Sequence, residues 1–282
     1  MKKIAKNLHY YLVMILLALF LTGPFLWLVS TALKTGEDIF QLETLGDIIP
    51  ENPSLEAFRN VWTAFDADGA GENPLVDYFR STFIIVGLGI VLQLIIASLA
   101  AYPLARMDFI GKNFISVMLL STMMLPVQAN MIVNFVTIRK LGLFDTYAGV
   151  ILPGAVSVFG IFLMRQAYLV IPGEMEDAAR IDGAGEFEIW YRIMLPLTRP
   201  ALATLAIFTF VMYWNSFMWP LVILKTSSLY PLSVGLAFLA NTFESNFRMV
   251  ASASVLSMVP VILVFLLMQK QFIRGITAGA VK

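Results

Sequence analysis

The chain has 282 residues, 59% of them apolar and 13% charged, with 19 basic and 19 acidic side chains that cancel. This is too apolar for an ordinary soluble domain and assigns the chain to a lipid bilayer, while the zero net charge gives no reason to expect a nucleic-acid partner. The absence of cysteine excludes a disulfide framework and thiolate sites for zinc or iron–sulfur clusters. The single histidine, His9, near Lys6, reads as interfacial.

A hydrocarbon core about 30 Å thick is crossed by roughly 20 apolar helical residues, because backbone amides in lipid must be satisfied within the segment. In chain order, six charge-free runs are long enough: 7–33, 81–105, 113–138, 146–164, 200–224 and 249–269. The first follows Lys2, Lys3 and Lys6 as a signal peptide would, but it continues through Trp27 with no small-residue cleavage site and reads as a retained span. Residues 34–80 form the longest hydrophilic stretch, with ten acidic side chains. It is expected to be an outer loop carrying a short helix on which Leu55, Phe58, Val61, Trp62 and Phe65 recur three or four apart. The uncharged stretch 226–243 has an apolar middle of only 232–240, too short to cross, and reads as a loop with an amphipathic turn at the outer interface.

With six spans and an inner N-terminus, 12 of the 19 basic residues fall on the inner side, among them Arg106, Arg165, Arg180, Arg192 and Lys270. Both termini are therefore expected in the cytoplasm.

The only sizeable hydrophilic stretch on the inner side is 171–199. Pro172 and Gly173 end the preceding span, and Glu174, Glu176 and Asp177 occupy the first turn of a new helix, where acidic side chains favour the positive end of the dipole. Ala178 and Ala179 add helix propensity without bulk, giving a face that can lie flush in a cleft of another protein, and Asp182-Gly183 supplies the stop. A second short helix, 186–194, places Phe187, Trp190, Tyr191 and Met194 three or four apart.

The series Asp177-Ala178-Ala179, three residues, Gly183, nine residues, Ile193, one residue, Leu195-Pro196 resembles the Glu-Ala-Ala signature loop of bacterial ABC importer permeases, with Asp177 where the family has Glu. Further stretches resemble the carbohydrate branch, the smaller permease of maltose-type and arabino-oligosaccharide-type importers. They are Ala100 to Arg106 with Phe109 and Gly111, Arg165-Gln166 with Ile171-Pro172, Tyr213-Trp214-Asn215 with Trp219-Pro220-Leu221, and the tail Gly275 to Lys282. The resemblance implies an all-α membrane protein with six transmembrane helices in the type I ABC importer permease fold. Residues 1–80 would hold the first span and outer loop, and 81–282 the permease core with its coupling loop at 171–199.

The resemblance further implies that Glu176, Asp177, Ala178, Ala179, Asp182 and Gly183, with Ile193, Leu195 and Pro196 behind them, couple the pore to an ATPase. The tail, with Gly279, Val281 and Lys282, would reach towards that ATPase. The implied partners are a second homologous permease subunit, two ABC ATPase subunits, an extracytoplasmic solute-binding protein and a sugar, all at the bacterial cytoplasmic membrane. The sequence contains no G-x-x-x-x-G-K-[ST] and so lacks that means of cradling ATP; ATP and Mg belong on the partner.

Polar side chains within the runs are few: Gln93, Gln128, Asn130, Asn134, Asn215 and Ser216. Sugars take amide donors and acceptors with aromatic faces, which makes Asn215, Trp214, Trp219 and Asn130 the candidates for a substrate pathway, alongside the alternative that these amides join helices. Met118, Met123, Met124 and Met131 are expected to be deformable packing. An ion-coupled secondary transporter is the alternative function, disfavoured because the runs carry no acid, Lys or Arg. No catalytic or metal-ligand set can be assembled from one His and no Cys, so an enzyme is a weaker reading still.

Overall fold

The computed structural model describes residues 8–35, 49–50, 52–63, 74–242 and 246–278; the tail positions Gly279, Val281 and Lys282 lie outside them. Regular structure among the described residues is helical: α1 (Leu8–Leu33), α2 (Glu56–Thr63), α3 (Pro74–Arg106), α4 (Lys112–Thr122), α5 (Met131–Lys140), α6 (Tyr147–Ala155), α7 (Val158–Leu169) and α8 (Glu174–Ile181). There follow α9 (Glu186–Leu197), with a π-helical turn at Trp190–Met194, then α10 (Arg199–Trp214), α11 (Met218–Ile223), α12 (Leu232–Thr242) and α13 (Phe247–Ala278).

Three helices are long and apolar enough to cross a membrane unaided, over Tyr10–Leu33, Pro74–Arg106 and Phe247–Gln269. Two bent pairs reach the same length, α6 with α7 at 47° and α9 with α10 at 79°. Up to five crossings thus follow from length and composition among the described residues. The expected run 113–138 is instead divided into α4, a 3-10 turn at Val127–Asn130 and α5. Pro126 explains the division, because it donates no backbone N–H and pushes Leu125 out of the helical region. The stretch 226–243 folds as a 3-10 turn, Ser227–Leu229, followed by α12; eleven helical residues span about 16 Å, half of a bilayer core.

The chain divides into two compact units, residues 1–75 with 236–262, and 76–235 with 263–282. In the first, Ser54 donates its amide to the Leu33 carbonyl at 2.8 Å, and Arg248 donates to the Lys34 carbonyl at 3.2 Å. Trp27 and Phe247 pack with ring centroids 6.4 Å apart. Ala57 and Val61 form the buried side of α2 with Phe58 half-buried, whereas Leu55 and Trp62 are exposed, so the docked face includes only part of the apolar stripe that the spacing suggests; Phe65 lies outside the described residues. On α1 the side chains Tyr10 to Leu21 are largely exposed and apolar, a surface suited to lipid rather than water.

In the second unit the core forms where α3, α7, α9 and α10 meet, around Ala101, Tyr102, Met164, Tyr168, Ile189, Trp190, Met194 and Leu205. Small residues let these helices approach, as lipid supplies no hydrophobic drive between them. A Cβ on Gly89 of α3 would strike the ring of Tyr213 on α10, whose hydroxyl donates to the Ile151 carbonyl at 2.8 Å. The helix breaks are capped: Thr146 and Ser157 each accept an amide, from Gly149 and Gly160, at the starts of α6 and α7.

Candidate functional site

The stretch after α7 begins with Pro172 and Gly173, and α8 follows with Glu174, Glu176 and Asp177 in its first turn. It ends at Asp182 and at Gly183, whose φ of +86° is left-handed; Gly183 and Ala184 return their amides to the carbonyls of Arg180 and Ala179 at 3.1 and 2.9 Å. This αL ending is the one that a residue without Cβ makes cheaply.

The predicted coupling residues divide into two sets. Asp177, Ala178, Asp182 and Gly183 are exposed, joined by an exposed Ile181, and form a surface of short side chains. Glu176, Ala179, Ile193 and Leu195 turn inward to different degrees, while Pro196 is exposed. Glu176 is 3% exposed. Neighbouring helical residues lie about 100° apart, so Asp177 faces outward while Glu176 faces the core.

The inward partner of Glu176 is Arg106, the last residue of α3, whose Nε lies 3.1 Å from Glu176 Oε1 with both side chains largely buried. The two atoms face each other outside good hydrogen-bond geometry, so this is an ion contact rather than a hydrogen bond. Arg106 also donates through Nη2 to the Tyr168 carbonyl at 2.7 Å and to the Ile171 carbonyl, the closing turn of α7. Arg180 gathers three acids: Glu186 at 2.8 Å, Asp177 at 3.0 Å and Glu176 at 3.5 Å. The Tyr102 hydroxyl on α3 donates to Glu186 at 2.7 Å. Burial pushes the Glu176 carboxyl above its ordinary range, against the pull of Arg106 and Arg180. The hydrogen bonds from Arg180 and Tyr102 hold Glu186 below that range. Removing one member of a buried ion pair typically costs about 3–5 kcal/mol, because the charge that remains is left buried without its partner, so Glu176 and Arg106 each require the other in place. Beyond it, Phe187 and Tyr191 of α9 are exposed, whereas Trp190 and Met194 are buried.

A second feature is a cavity of about 450 Å³ lined by Gln128, Met131, Asn134, Tyr213, Asn215, Ser216 and Trp219, among others. Of the four predicted pathway residues, the structure brings Asn215 and Trp219 to this cavity. Trp214 is buried elsewhere, stacked on Phe210 at 5.2 Å and edge-on to Phe83 at 5.7 Å, and Asn130 is exposed on the 3-10 turn outside the lining. Asn215 donates back to the Val211 carbonyl at 2.9 Å, and Trp219 donates to the Gly149 carbonyl at 3.2 Å. Met131 lines the cavity, while Met118, Met123 and Met124 are exposed, so within this chain they pack less than expected.

Sequence reading passed over Tyr102, Arg106 and Glu186 as site residues, since their partners lie 62 to 84 positions away. The available signal was a lone arginine closing an otherwise charge-free run. Among the described residues no group of three or more His, Cys, Asp or Glu could hold a metal.

A helical membrane chain that carries a short exposed helix between two bent spans, and a largely apolar cavity into which a few amide and hydroxyl side chains project, has the build of a transport permease. The chain belongs to the family of binding-protein-dependent transport system inner membrane components, whose model matches residues 93–278. It is 36% identical over 276 residues to the arabinooligosaccharides transport system permease protein AraQ of Bacillus subtilis, covering 97% of this chain and 94% of that one. It is 31% identical over 262 residues to the melibiose/raffinose/stachyose import permease protein MelC of the same organism, covering 92% and 91%. Among solved structures, it superposes with a TM-score of 0.81 and 26% identity on a bacterial ABC transporter involved in the import of the acidic polysaccharide alginate, covering 95% of this chain and 96% of that one. The family favours the importer over an ion-coupled transporter and is one of transport permeases, not enzymes.

Proposed function

We propose that this chain is the pore-forming permease subunit of an ATP-binding-cassette importer, carrying a sugar or oligosaccharide across the cytoplasmic membrane by alternating access that a partner ATPase drives. The observation that carries the reading is α8, which presents Asp177, Ala178, Asp182 and Gly183 outward while Glu176 and Ala179 hold it to the helices behind. Such a face fits a groove on an ATPase, and closure of two ATPases around ATP and Mg would displace it. Ile193, Leu195 and Pro196 would carry the displacement into α10. The partners are a second homologous permease, two ATPase subunits and an extracytoplasmic solute-binding protein; both termini lie in the cytoplasm, with Gly279, Val281 and Lys282 directed towards the ATPases.

The cavity serves as a sugar pathway in this reading. Its volume falls within the roughly 300–1,000 Å³ usual for small-molecule sites. Gln128, Asn134, Asn215 and Ser216 offer hydroxyl partners beside the Trp219 ring. AraQ and MelC, named for arabinooligosaccharides and for melibiose, raffinose and stachyose, support the substrate class. The test is uptake of a panel of radiolabelled oligosaccharides by cells lacking the gene, complemented with the unaltered chain or with Asn215→Ala. Restored uptake of one sugar class, and a changed order of preference with Asn215→Ala, is expected; uptake that no panel member recovers would overturn the reading.

A further inference from the structure

The Arg106 side chain touches the ends of three elements: it closes α3, donates to the carbonyls of Tyr168 and Ile171 where α7 ends, and faces Glu176 of α8 at 3.1 Å. We propose that Arg106 is the positioning residue that makes α8 and the inner ends of α3 and α7 move as one body, so that displacement of α8 becomes displacement of the spans. This deepens the coupling role proposed above and rests on it.

The covalent route between α7 and α8 is the four residues Val170 to Gly173, which lie outside both helices with Val170, Pro172 and Gly173 exposed, so a push on α8 along the chain alone would pass only through this short non-helical link. The guanidinium bypasses that link. A single tether would act as a pivot about which α8 could roll, but a second lies one turn earlier on α3, where Tyr102 donates to Glu186 at 2.7 Å. Tyr102 and Arg106 are four residues apart, about 6 Å along the axis and on the same face, so the two anchors fix direction as well as position. Arg180 closes the frame by joining Glu176 to Glu186. Arg165 adds a further tie from α7 to the Leu104 carbonyl of α3 at 3.1 Å. Lysine could not replace Arg106, since one ammonium lacks the fork needed to meet two carbonyls and a carboxylate together.

Two measurements on the complete transporter, reconstituted with its binding protein, decide the matter. The chain contains no cysteine, so spin labels at Ile110→Cys and Gly185→Cys, both exposed and both outside the outward face of α8, report the distance between the loop after α3 and the turn that follows α8. That distance should stay the same in nucleotide-free and nucleotide-trapped states, and should change or broaden on adding Glu176→Gln. In parallel, Glu176→Gln and Arg106→Lys should keep sugar-stimulated ATP hydrolysis while sugar moved per ATP falls by about fivefold or more. A label distance that shifts between nucleotide states in the otherwise unaltered chain overturns the proposal, and so does an unchanged transport ratio or a parallel loss of hydrolysis and uptake in assembled variants. A variant that fails to assemble leaves the label distance to decide. Absence of ATP-driven uptake by the unaltered transporter would instead refute the coupling reading beneath it.

Discussion

Replacing Gly183 separates what this helix end costs the chain from what it offers a partner. With φ at +86°, an alanine here takes on left-handed strain of roughly 1–2 kcal/mol, whereas asparagine tolerates that region better because its short amide bonds locally. A Cβ at Gly183 meets no atom within 4 Å, so neither residue collides with anything in this chain. Backbone strain therefore ranks Ala as worse than Asn. Contact with a docked partner ranks them the other way, because Asn and Asp fill the space that an ATPase groove would occupy. Melting temperature of the purified chain and uptake by the assembled transporter should thus give opposite orders: Gly183→Ala the less stable, Gly183→Asn and Gly183→Asp the less active. Gly183→Asp should abolish uptake with membrane insertion intact. If uptake simply follows stability across the three variants, or if Gly183→Asp transports normally, the surface is not a docking face and the reasoning fails.

Gly89→Val should destabilise the second unit by about 1–3 kcal/mol, since its side chain drives into the Tyr213 ring, and should lower the melting temperature in detergent; an unchanged melt would show that α3 and α10 can separate freely. Acid should weaken the tie through Glu186. Because that carboxyl is held below its ordinary range, the stability it contributes is complete above the usual glutamate value near about 4.3 and is lost as pH falls through its lowered value. The difference in melting temperature between the unaltered chain and Glu186→Gln should accordingly shrink on acidification, and a difference independent of pH would contradict the assignment.

The membrane class and most of the spans were legible because bilayer thickness imposes a length and an absence of charge that no other environment demands. The break at Pro126 was less visible, since a search for charge-free length passes over a proline that a helix cannot accommodate without losing a backbone bond. The stop at Gly183 could be read from local chemistry alone. The inward turn of Glu176 could not: Glu176 and Asp177 are adjacent and chemically alike, and what distinguishes them is Arg106, seventy positions earlier, which only the packed helices bring within reach. The pathway shows the same limit. Trp214 and Trp219 are equally good sugar platforms by composition, yet five residues carry one of them to Phe210 and Phe83 and the other to the cavity wall.

The central claim is that the outward face of α8 receives the work of ATP hydrolysis from another subunit. Proteoliposomes holding this chain, its partner permease and the binding protein, with and without the ATPase pair, test it most directly. Sugar should enter only when the ATPases are present and supplied with ATP and Mg. Accumulation without them, driven by an ion gradient or by this chain alone, would contradict the account.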